Sequence, residues 1–137
     1  SLSDFKGIKL TEIPEGYTHS YYLFPIVLDI KNLNLDRNKI VNALQSEGVP
    51  IWVGYQNLHL LPIYQKKIAY GKSGIPWSLN QSRKNISYKR GICPVAEDYH
   101  DNSFIFLPIC SYNLDEKDVD LIIEAFKKVW LNLDALK

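Results

Sequence analysis

The side chains in this sequence with the widest chemical range are three histidines, His19, His59 and His100, and two cysteines, Cys93 and Cys110. Nucleophilic catalysis of the Ser-His-Asp or Cys-His kind needs groups that meet in space. These histidines are scattered over different elements, and none lies near a cysteine in sequence. A zinc centre needs about four ligands at coherent spacings, and the sequence holds neither such a set nor a P-loop nor a GxGxxG turn. Arg83, Lys84, Lys89 and Arg90 form a basic set that could meet a diphosphate, although a solvated loop is the plainer reading. Cys93 precedes a helix start, where a thiolate is favoured, but a buried inert thiol is the plainer reading. Residue chemistry alone therefore gives no catalytic residue, no cofactor-binding residue and no metal ligand. It leaves a small α+β domain with one long aromatic and basic loop.

The elements that must position these side chains follow from periodicity and punctuation. The apolar and aromatic run from Tyr21 to Ile30 predicts a buried strand. Asp36 is placed to cap a helix that runs to Glu47, with Ile40, Val41 and Leu44 at helical spacing and Gly48 where a C′ glycine belongs. Residues 50–55 read as a short strand and 62–69 as a short helix opened by Pro62. Residues 70–92 carry Gly71, Gly74, Pro76 and Gly91 and read as one long polar and aromatic loop. Pro94 opens a short helix to about Asp101, residues 103–107 form a strand, and Asp115 caps a last helix. On that helix Val119, Ile122, Ile123, Phe126, Val129 and Trp130 recur with helical period. The expected fold class is α+β, a small three-stranded, mainly antiparallel sheet with helices packed on one face. Ile26, Leu28, Ile51, Val53, Phe104 and Phe106 are expected on the sheet side of the core.

The chain of 137 residues is one domain's worth, read as a single domain over 1–137. Sixteen basic against fifteen acidic residues point to neither nucleic acid nor an anionic membrane as a partner. Two cysteines make no disulfide framework and read as reduced thiols of a cytoplasmic protein. No apolar stretch approaches the ~20 residues that span a bilayer.

Two ordered signatures carry a resemblance. The first is Glu47-Gly48-Val49-Pro50-Ile51-Trp52-Val53-Gly54-Tyr55 followed by His59-Leu60-Leu61-Pro62-Ile63-Tyr64. The second is Cys93-Pro94-Val95-Ala96-Glu97, then Phe106-Leu107-Pro108, then the capped segment from Asp115. With His19-Ser20-Tyr21-Tyr22-Leu23-Phe24-Pro25 ahead of them, they resemble the C-terminal small domain of the DegT/StrS-type sugar aminotransferases, enzymes of fold type I that use pyridoxal phosphate. The match runs from about Thr18 to Trp130. It departs where Leu61 and Ile63 replace a Gln and an Ala. It departs again at Gly54-Tyr55-Gln56-Asn57, which is one residue shorter than the family's turn.

The resemblance implies one domain of a larger enzyme, which moves an amino group from an amino acid such as glutamate to a keto-sugar, commonly nucleotide-linked. The cofactor lysine of that family lies in a large N-terminal domain, so this segment alone is expected to be inactive. The implied partners are that large pyridoxal phosphate-binding domain, the keto-sugar and a second copy in a homodimer. By matching position, His59 and Tyr55 are the substrate-binding candidates, with His59 donating a hydrogen bond from an exposed turn. Asn57 lies on the same turn and suits a hydroxyl, and Trp77 suits stacking on a sugar or base or else pinning its own loop. Two other readings compete: a non-enzymatic α+β binding module, and a pyridoxal phosphate-dependent sugar dehydratase on the same fold.

Overall fold

The computed structural model describes residues 2–81 and 85–137. Contacts cluster in two compact units, one formed by residues 1–54 with 101–137 and the other by residues 55–100.

The first unit is built on four strands: β1 (Ile8–Leu10), β2 (Phe24–Leu28), β3 (Trp52–Val53) and β4 (Phe104–Leu107). Their order across the sheet is β1-β2-β4-β3, with every neighbouring pair antiparallel. The sequence predicts three of these strands. The fourth, β1, lies in the polar lead-in and pairs Ile8 with Leu28 and Leu10 with Ile26. Three residues are too few to show alternation, so only the pairing partner reveals the strand.

Ile26 stands opposite Ile105, and Phe24 opposite Leu107. Opposed residues share a face, so Ile8, Ile26, Leu28, Ile105 and Leu107 turn to one side and are all buried. Phe104 and Phe106 belong to the other face and are half-buried, contrary to the parity expected from the sequence. The run Phe104-Ile105-Phe106-Leu107 is apolar throughout and carries no alternation to read, and a shift of one residue exchanges the two faces. Val53 shares a face with Ile105 but is 40% exposed on the edge strand.

Helices complete this core. After the one-turn α1 (Ile30–Leu33), α2 spans Arg37–Ser46, and the Asp36 carboxylate accepts the Asn38 N–H at 2.6 Å. Ile40, Val41 and Leu44 on α2 are buried. The helix ends as expected at Gly48, whose φ of +87° suits a residue without Cβ. There Gly48 N–H donates to Gln45 O and Val49 N–H to Leu44 O, the paired bonds that satisfy the last carbonyls of a helix. Short helices α3 (Pro62–Lys66) and α4 (Pro94–Asp98) belong to the second unit. The last helix, α5, spans Glu116–Leu131, and Asp115 and Asp118 exchange side-chain bonds with each other's backbone N–H. Its Ala125, Phe126 and Val129 are buried with the sheet face and α2, whereas Val119 is exposed. Trp130 packs on Phe5 and donates from Nε1 to Lys6 O at 2.9 Å, which ties the lead-in before β1 to α5.

Candidate functional site

All four substrate-binding candidates, Tyr55, Asn57, His59 and Trp77, fall in the unit formed by residues 55–100. That unit is an insertion between β3 and β4, and its interior differs in kind from the core above. Among its described residues only Asn57, His59, Trp77 and Glu97 are buried, and three of these four are polar. Many of its apolar side chains turn outward instead: Tyr55, Leu58, Tyr70, Leu79 and Val95 are all more than half exposed. A polar interior is stable only when its hydrogen bonds are made.

Those bonds converge on Glu97. Cys93 and Pro94 open α4, which places Glu97 near the helix start with its carboxylate turned inward. Its Oε1 lies 2.9 Å from His59 Nε2 and accepts Gly91 N–H at 2.8 Å and Cys93 N–H at 3.3 Å; Oε2 accepts Gly91 N–H at 2.9 Å. Gln65 on α3 adds a second tie, donating from Nε2 to His59 O and to Tyr88 O, both at 2.7 Å. The short 3-10 turn Leu58–Leu60 is thus fastened to the segment 88–93 through both its side chain and its backbone.

The placement of His59 corrects an expectation. The sequence puts it on an exposed turn, but the residue is 8% exposed and paired. Its partner lies 38 residues further along the chain, so no local pattern announces the pair. Asn57 is buried as well. Tyr55 is 57% exposed, and its backbone N–H donates to His100 Nδ1 at 3.3 Å. Trp77 is buried, donates from Nε1 to Tyr88 Oη at 3.0 Å and meets the rings of Tyr64 and Tyr88 edge-on. This ring pins its own loop. Lys89 and Arg90 are exposed, whereas Arg83 and Lys84 lie outside the described residues. Cys93 and Cys110 are free thiols, half-buried and exposed respectively. Glu97 and Gln65 are the site residues that sequence reasoning missed. The only signal for Glu97 was its place in the Pro-x-Ala-Glu string, read there as a helix signature.

Charge is unevenly distributed. Residues 55–100 carry seven Lys and Arg against two Asp and Glu, one of which is the buried Glu97. The near-neutral total therefore conceals a cationic insertion and a complementary acidic excess elsewhere. Burial by itself pushes the Glu97 carboxyl up, but the Gly91 and Cys93 N–H groups and the His59 ring together hold it below the ordinary carboxylate range. A carboxyl whose folded value lies below its unfolded one stabilises the fold at pH above the unfolded value, about 4.3 for Glu. That contribution is lost as the pH falls from there through the lowered folded value. Acid titration should therefore release this insertion through Glu97, and Glu97→Gln should flatten that limb of the melting-temperature profile. Identical acid limbs for the two proteins would show that Glu97 does not set it.

Two other features lie apart from these residues. A groove of about 670 Å³ in the first unit is lined by Val49 and Pro50 and by Leu121 and Ala125 of α5, and by none of the candidates. Among the described residues no group of three or more His, Cys, Asp or Glu could hold a metal, and no helix is long and apolar enough to cross a membrane.

No family model matches the chain. It is 26% identical over 128 residues to an uncharacterized protein of Methanocaldococcus jannaschii, a match covering 93% of the chain and 28% of that protein. It is 23% identical over 130 residues to the spore coat polysaccharide biosynthesis protein SpsC of Bacillus subtilis, covering 94% of the chain and 28% of SpsC. The chain thus spans little more than a quarter of the length of these curated relatives. Its fold is shared with a solved aminotransferase from Psychrobacter cryohalolentis at a TM-score of 0.55 and 21% identity, over 85% of the chain and 25% of the enzyme. The resemblance to the C-terminal domain of the DegT/StrS-type sugar aminotransferases, carried by the ordered sequence signatures, is thereby matched twice, in fold and in sequence.

Proposed function

We propose that this chain is the substrate-side small domain of a pyridoxal phosphate-dependent aminotransferase that transfers an amino group from an amino acid, glutamate in the simplest case, to a keto-sugar. The observation that carries this reading is the shared fold with an aminotransferase over 85% of the chain. The similarity to a polysaccharide biosynthesis protein directs it to sugars. The cationic insertion supports a nucleotide-linked substrate, because clustered Lys and Arg attract a diphosphate.

Pyridoxal phosphate would supply an electron sink. The residues described here do not fit it. Lys67 is half-buried and every other described lysine is exposed, whereas an amine that carries the cofactor sits in an enclosed cleft. In this reading the cofactor belongs to the remaining length of a protein the size of the relatives, in the cytoplasm, paired as a homodimer. This domain's part is to bind and orient the sugar through Tyr55, Asn57 and His59, with Trp77 holding the loop in place.

The test is the longer protein itself. Its cofactor absorbance should change on mixing with L-glutamate and revert with a nucleotide-linked keto-sugar. A native protein with no such cofactor response, or one that eliminates water from the sugar without consuming an amino donor, would sink the proposal. Within that protein, His59→Ala should lower kcat/KM for the keto-sugar on the order of ten- to a hundredfold and change the glutamate half-reaction much less. The burial of His59 adds a lower melting temperature to that expectation. Equal losses in both half-reactions would make the residue purely structural.

A further inference from the structure

We propose that Glu97 is a positioning residue that holds His59 as the tautomer protonated at Nε2, so that His59 Nδ1 is a hydrogen-bond acceptor for a ligand hydroxyl, the polyol edge of a sugar, and not a donor to phosphate. This rests on the placement of the 55–59 turn at a substrate cleft.

An ionised carboxylate only accepts hydrogen bonds. Glu97 already accepts two backbone N–H groups, so it is held in that form, and the ring nitrogen 2.9 Å from Oε1 must be the one that carries hydrogen. A neutral imidazole has one N–H. With it committed at Nε2, Nδ1 keeps a lone pair, and among the described residues no hydrogen bond occupies it. The backbone is fixed independently, since Gln65 holds His59 O. The ring is therefore locked at two points, and its free nitrogen has a defined chemical sense. That sense is opposite to the donor role the sequence suggested. It also divides the labour within the cationic insertion. Exposed cations such as Lys89 and Arg90 attract anionic groups, and the acceptor nitrogen selects a donor.

Long-range proton–nitrogen correlation of the ¹⁵N-labelled chain at about pH 8 reads the tautomer directly, with His59→Gln to assign the ring. The native protein is expected to show the Nε2–H pattern. In Glu97→Ala the acceptor of the Nε2–H is gone, and the ring should lose its single Nε2–H pattern for a mixture of the two tautomers. N-acetylglucosamine should shift the native His59 resonances where inorganic phosphate does not, with affinity falling on the order of tenfold in Glu97→Ala. A native ring protonated at Nδ1, or an Nε2–H pattern unchanged in Glu97→Ala, overturns the proposal. If that variant does not fold, the native tautomer still decides. A shift with phosphate alone overturns the ligand class. An Nε2–H ring that responds to neither probe overturns the placement at a cleft, which separates that failure from a failure of the positioning role.

Discussion

Glu97→Ala is expected to free residues 88–93 from the turn at 58–60 while the four-stranded sheet stays folded. Alanine removes the acceptor of His59 Nε2 and of the Gly91 and Cys93 amides at one stroke, and the His59 donor, being buried, is costly to leave without a partner. The insertion has no apolar core to compensate, since three of its four buried described residues are polar. Amide hydrogen exchange at Gly91 and Cys93 should quicken on the order of ten- to a hundredfold, whereas Ile26 and Ile105 should keep their protection. Unchanged exchange at Gly91 and Cys93 would mean that the segment is held by the Gln65 and Trp77 bonds instead. Uniform loss across the sheet would mean that the two units unfold as one.

Phe126→Ala should do the reverse and unfold the scaffold. Phe126 is fully buried, stacks on Trp130 and belongs to the cluster that joins α2, α5 and the sheet face. A Phe→Ala change in such a place costs about 3–5 kcal/mol, the lost transfer energy plus the cavity left behind. That is a large share of a typical domain's stability. The midpoint of chemical denaturation should fall accordingly, with the slope unchanged. A loss below about 1 kcal/mol would show that the site collapses around the missing ring.

The contrast between these two variants tracks what the sequence discloses. Helices α2 and α5 were legible because a 3.6-residue period and a capping aspartate, joined in α2 by a C′ glycine, are all local. So were Ile26, Leu28 and Ile51 as core. β4 was legible as a strand but not in its parity, because four consecutive apolar residues give no alternation. β1 was hidden by its length. The candidate residues were legible only through the resemblance, and their environment was not legible at all. His59 reads as exposed from its neighbours, because a turn between Asn57 and Leu60 is normally a surface. Its side chain is paired with Glu97, 38 residues further along the chain. A polar interior has no hydropathy signal, since each of its members is individually a residue expected outside.

The 46 residues from Tyr55 to His100 enter and leave through neighbouring strands, and Gly54 N–H donates to Phe104 O at 2.8 Å at their base. The sheet thus presents a closed socket that is indifferent to what is mounted in it. Chain closure grows only as the logarithm of length, about 0.6 kcal/mol per doubling, so replacing a six-residue hairpin turn with this whole insertion costs about 2 kcal/mol in closure entropy. Such a joint lets the insertion be lengthened, trimmed or exchanged while the scaffold's core, built entirely from other segments, goes unrevised.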